Sequence, residues 1–154
     1  MKTFKKLMCV LALSMPLGLV NARAACAISG ITIAQWTFET SFTSIITTNA
    51  TDGPLSPEAG SGSASGVHAS SATAWSSPVG NGSPHSFSAN GWAVGDYYQF
   101  QVNLSIYTNV VLAWDQASSS TGPQDFVLQY STDGVNFSGV GTYMVLANTA
   151  HGIC

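Results

Sequence analysis

Residues 95–137, GDYYQFQVNLSIYTNVVLAWDQASSSTGPQDFVLQYSTDGVNF, hold three successive segments that alternate as strands do, each ended by turn chemistry. In 97–104 the side chains of Tyr98, Phe100, Val102 and Leu104 fall on one face, and Tyr97, Gln99, Gln101 and Asn103 on the other. That is the period-two pattern of a half-buried strand. In 110–116, Leu112 and Trp114 alternate with Ala113 and Asp115, and in 125–131, Phe126, Leu128 and Tyr130 alternate with Val127 and Gln129. Asp133-Gly134 then supplies a dipeptide that tolerates the positive φ of a tight turn. The pattern predicts a β-meander whose three strands pool one apolar face.

Outward from the meander the signals weaken. Upstream, 28–38 (ISGITIAQWTF) reads as a first strand with apolar residues on both faces, and 42–48 as a second short strand or a loop edge. Residues 49–66 (NATDGPLSPEAGSGSASG) are turn formers throughout, and Pro54 and Pro57 argue against a regular central strand, so a long loop is expected. Its glycine-rich part, 60–66, lacks the lysine of a phosphate loop and reads as a flexible linker. Residues 67–75, 85–90 and 142–147 are further short strands, and 149–154 form a tail without pattern. No helix of usable length is visible. The expected class is all-β: an antiparallel two-sheet sandwich with jelly-roll connectivity over residues 25–148.

The first 24 residues read as an address. Lys2, Lys5 and Lys6 precede an apolar run at 7–20, and Ala22-Arg23-Ala24 offers small residues where a signal peptidase cuts. The run is about 14 residues long and broken by Pro16 and Gly18, short of the roughly 20 that span a bilayer. Residues 1–24 are therefore read as a signal peptide, with secretion to the extracellular space or cell surface and no membrane span after cleavage. All four cationic residues lie in this leader, while all seven acids lie beyond it. A chain without Lys or Arg cannot neutralise phosphates, which argues against a nucleic-acid partner. Cys9 lies in the leader, and Cys26 and Cys154 stand near the ends of the remainder, where pairing is open and no metal-binding spacing occurs.

Chemistry is sparse. There is no Gly-x-Ser-x-Gly elbow, and Ser83, His68 and Asp96 form a triad only on paper. His68 reads as a strand residue, and Asp96 and Asp133 as turn residues. Glu39, with no cation to pair with, has three options: water, backbone donors, or a hard metal such as calcium. Trp36 and Trp114 sit in strand patterns and read as core. Trp75 and Trp92 sit among Ser, Gly, Pro and Asn, where an indole either presents a flat face to a sugar or caps the end of the sandwich. They are the candidate ligand-binding residues, extracellular polysaccharide the candidate partner, and Glu39 the candidate metal ligand.

The segments IAQWTFE, SPEAGSGSASGVHASSATAWSSPVGNGSPHSFSANGWAVGDYYQF and LAWDQASSSTGPQDFVLQYSTDGVNF together resemble the β-sandwich module of bacterial secreted proteins. Many of these carry a PEP-CTERM sorting tail or are joined to extracellular nuclease or phosphatase domains. The resemblance implies a galactose-binding-like jelly roll that is not itself an enzyme, a surface-structural or weakly carbohydrate-binding part. The alternative it implies is an accessory domain of an extracellular hydrolase. Members of that family continue with further strands beyond the position of Asn148, so a C-terminally shortened module is expected. A calcium site shared between first and last strands, using Glu39, would then lack half its ligands.

The leader reading makes a direct prediction. N-terminal sequencing of exported material should find Ala25 first, whereas a mature protein that keeps Met1 would contradict it.

Overall fold

The computed structural model describes residues 5–10, 30–40, 42, 46–79, 84–148 and 151–153, the first and last of these segments by backbone alone. The described chain is all-β. Its strands are β1 (Lys5–Val10), β2 (Ala34–Gln35), β3 (Thr47–Thr48), β4 (Thr51–Leu55), β5 (Ala59–Gly60), β6 (Ser63–Val67) and β7 (Ala74–Ser76). They continue with β8 (Ser88–Ala89), β9 (Tyr97–Val102), β10 (Trp114–Gln116), β11 (Asp125–Ser131), β12 (Ser138–Met144) and β13 (His151–Ile153). One sheet has the order β12-β11-β1-β9-β6-β4 and a second β3-β7-β8, with two-stranded pairs β2-β5 and β10-β13. All these ladders are antiparallel.

Two of the three segments read as a meander form as expected, because their alternation and turns are local. β9 and β11 match the patterned runs, and β11 turns through Asp133-Gly134 into β12. Asp133 organises that hairpin. Its carboxylate accepts from the Asn136 side chain at 2.7 Å, from the backbone N–H groups of Asn136 and Val135 at 2.8 Å each, and from Ser131 Oγ at 2.9 Å. These donors, the Asn136 amide foremost, hold the carboxyl far below the usual carboxylate range.

The middle segment departs from expectation. β10 pairs with β13, the tail that carries no pattern, and not with β9 or β11. The strand between β9 and β11 is β1, from the segment read as a leader, in register from Lys5 opposite Val102 to Val10 opposite Tyr97. Being antiparallel to β1, β9 and β11 run parallel to each other. The expected cleavage point at Ala24, the Cys26–Cys154 question and Ser83 lie outside the described residues.

The larger correction concerns 49–66. This run forms β4, β5 and β6, and β6 is an interior strand of the main sheet. Pro54 is accommodated because β4 is an edge strand whose register slips between Asp52 and Leu55. The composition of β6, Ser-Ala-Ser-Gly-Val, is explained by what lies on it. Ala64, Gly66 and the following His68 are buried on one face, and a Cβ placed on Gly66 would come within 2.1 Å of the Trp75 ring. The indole occupies the space that a side chain would need. Gly66 stands opposite Tyr98, and Ala64 opposite Phe100, so the small residues of β6 and the aromatics of β9 share that face.

Gly66→Ala should therefore force Trp75 out of place and cost about 1–3 kcal/mol, as overpacking does. Gly139→Ala, which adds a Cβ to open space, should stay within roughly 0.5 kcal/mol of the parent. Urea unfolding of the two variants checks the contrast; equal losses would contradict the packing assigned to Trp75.

Candidate functional site

The strands β6, β7, β8 and β9 bring together the chain's densest set of rings and its one described pair of buried ionisable side chains. Trp75, in β7, is fully buried and donates its indole N–H to the Asn49 carbonyl at 2.8 Å. Its ring stacks on Phe87 at 5.3 Å and meets His68 edge-on at 4.8 Å and Tyr98 at 6.3 Å. Trp92, half-buried just after β8, donates to the Ala89 carbonyl and contacts His68 at 4.3 Å, Tyr98 at 5.0 Å and Phe126 at 6.3 Å. Through Phe126 it joins the smaller core of Phe126, Val145 and Tyr143. Phe38 and Phe42 close the other side of Phe87.

Set into these rings is His68, 4% exposed, beside Asp96, 1% exposed. Nδ1 of His68 lies 3.2 Å from Asp96 Oδ2, and Thr73 Oγ1 lies 3.1 Å from the same nitrogen. Asp96 also accepts the backbone N–H of Ala69 at 2.8 Å and of Ala93 at 2.6 Å. One carboxylate thus ties the segment after β6 to the segment before β9. An oxygen of Asp96 facing Nδ1 assigns the proton to that nitrogen, leaving Nε2 as a bare acceptor. Nε2 is buried and has no hydrogen-bond partner among the described residues.

Burial lowers the affinity of His68 for a second proton, and the negative charge of Asp96 raises it, with burial the larger effect. The contact is therefore a neutral imidazole donating to a carboxylate and not an ion pair. An Asp that orients a His by Nδ1 is the arrangement of a general base. Here that nitrogen is buried without a hydrogen-bond partner among the described residues, in a ring met edge-on by the Trp75 and Trp92 indoles. The arrangement locks a core.

Of the four tryptophans only Trp75 is fully buried. Trp75 has no exposed face to offer a sugar, which corrects its assignment as a ligand platform; Trp92 keeps part of its surface exposed. Trp36 and Trp114, expected in the core, are half-buried, Trp36 edge-on to Phe100 at 5.2 Å and Trp114 to Tyr143 at 5.4 Å. Glu39 is half-buried in a turn that another acid shapes. Glu58 accepts the N–H of Thr37 at 2.9 Å and of Thr40 at 3.2 Å, bracketing Phe38, whose φ is 61°. Among the described residues no three His, Cys, Asp or Glu side chains come together as a metal site.

A second surface feature is a shallow groove of about 260 Å³ lined by Ser61, Gly62, Ser63, Gln101, Val102 and Asn103. A Cβ on Gly62 would come within 2.5 Å of the Gln101 carbonyl and 3.0 Å of the Trp36 ring, so the indole packs beside Gly62. Sequence reading passed over this groove because half of it belongs to the run taken for a linker. Among the described residues no helix is long and apolar enough to cross a membrane. Comparisons with family models, with curated proteins and with solved structures gave no match to this chain.

The burial of His68 predicts a pH dependence. Below the unfolded value of about 6.5 the unfolded chain binds a proton that the folded chain resists. Stability is complete above that pH and declines as pH falls through it toward the lower folded value. Urea midpoints between pH 8 and 5 should fall in the parent, and the His68 part of that slope should vanish in His68→Gln. An unchanged slope in the variant would remove His68 as its source.

Proposed function

We propose that this chain is a secreted, non-catalytic β-sandwich module of jelly-roll type, a surface-structural part with weak affinity for extracellular polysaccharide. The observation that carries the non-catalytic reading is the sealed Nε2 of His68. A general base must reach the proton it abstracts, directly or through one water. The packing of Trp75 in the three-stranded sheet onto Gly66 in the six-stranded sheet supports two layers sharing one core.

Carbohydrate contact is supported by the groove at Ser61–Ser63 and Gln101–Asn103. Hydroxyls and carboxamides both donate and accept, as the hydroxyl edge of a sugar requires. A groove this open gives low affinity, since a ligand in it keeps much of its surface wet. Trp36 and Trp92, each partly exposed, are two of the aromatics with surface left to offer a sugar face.

A glycan-array screen of the full chain, with and without calcium, tests the reading. Binding without turnover is expected, and it should weaken roughly tenfold or more in Gln101→Ala/Asn103→Ala, a loss of about 1.4 kcal/mol or more. No binding in either condition would remove the carbohydrate role, and hydrolysis of any arrayed glycan would overturn the non-catalytic one.

A further inference from the structure

We infer that the main sheet contains an acceptor slot between β9 and β11 for one extended strand of another polypeptide, opened when the leader is removed. The inference goes beyond the carbohydrate reading and rests on two observations about the same residues. Lys5–Val10 is an interior strand, in register with Tyr97–Val102 on one side and with Val127–Ser131 on the other. The same residues lie inside the segment that reads as a cleavable signal peptide. Where both hold, removal of the leader vacates the strand position between β9 and β11.

Removing β1 would leave β9 and β11 about two strand spacings apart, roughly 9.5 Å. Each would then present a row of N–H and C=O groups, and the β12-β11 pair would be parted from β9-β6-β4. Such paired edges are a template for strand addition. The geometry states the chemistry of the occupant. It is an extended segment of about six residues, antiparallel to both neighbours. Because both of its edges are hydrogen-bonded, it cannot contain proline.

Its third and fifth residues, in register with Phe100 and Tyr98 as Leu7 and Cys9 are, belong to the face that carries the ring cluster. They must be uncharged and apolar. Adjoining Tyr98 are Trp75 and Trp92, and adjoining Phe100 is Trp36, so the aromatic layer is already built up to the edge of the slot. An extended backbone in this antiparallel register is seated there in the structure described, which is why the inferred partner is a polypeptide strand and not a helix or a glycan.

The test uses the full chain with a specific protease site placed at the Ala24–Ala25 junction. After cleavage, a labelled synthetic peptide of residues 5–10, with Cys9→Ser, is added in excess and the released leader is removed by gel filtration. The expected result is one peptide per chain, with amide exchange in β9 and β11 slowed at least about tenfold relative to the cut chain alone. The same peptide carrying Leu7→Pro should not be retained. The inference is overturned if no peptide is retained, or if β9 and β11 stay protected without it, whether the cut chain is then a monomer or self-associated.

Discussion

The indole of Trp75 lying against Gly66 is the contact on which the rest of the described fold depends. It brings the β3-β7-β8 sheet onto the main sheet at the point where β6 has no side chain. That explains why an interior strand is made of Ser, Ala and Gly, residues with little strand preference of their own. The apolar area comes from the other partner. Trp75 in turn supports Phe87 and His68, so that the cluster spans four strands and three intervening loops. A core of rings laid on small residues suits a chain whose seven acids have no Lys or Arg beyond the leader to pair with.

Polar order inside this core rests on Asp96. Three donors converge on one buried carboxylate: the backbone N–H groups of Ala69 and Ala93 and the ring N–H of His68. Satisfying each buried oxygen makes the network tolerable in a low-dielectric setting. The Nε2 of His68, buried and without a hydrogen-bond partner among the described residues, is the exception, in a ring that the indoles of Trp75 and Trp92 meet edge-on at 4.8 Å and 4.3 Å. The histidine and aspartate lie together in the packed interior, whereas the same pairing at the mouth of a cleft would signal chemistry.

Much of the fold class was legible because strand alternation is local. Tyr98 and Phe100 were assigned to one face by period alone, and Asp133-Gly134 identified its hairpin without any tertiary information. What was not legible depends on partners distant in sequence. The strand at β6 needs Trp75 before its small residues make sense, and β10 needs the unpatterned His151–Ile153 as its mate. Trp75 stayed open between a sugar platform and an end cap because Ser and Pro follow it, yet Ser76 belongs to β7 and the indole is fully buried. His68 and Asp96 are separated by the whole β7-β8 excursion, and nothing in either local sequence hints at the other. Of the groove, Gln101 and Asn103 were visible on the polar face of the 97–104 run, but Ser61 and Ser63 were hidden in a run that reads as linker.

The central claim is that His68 is sealed in a packed aromatic core. Chemical modification of imidazole by diethyl pyrocarbonate tests it most directly, because the reagent needs an accessible, uncharged ring nitrogen. In the folded chain at neutral pH, His68 should remain unmodified and become reactive only when the chain is unfolded in denaturant. Modification of His68 in the native protein at the rate of a free histidine would show that Nε2 is open to solvent, and would return the His68–Asp96 pair to the list of catalytic candidates.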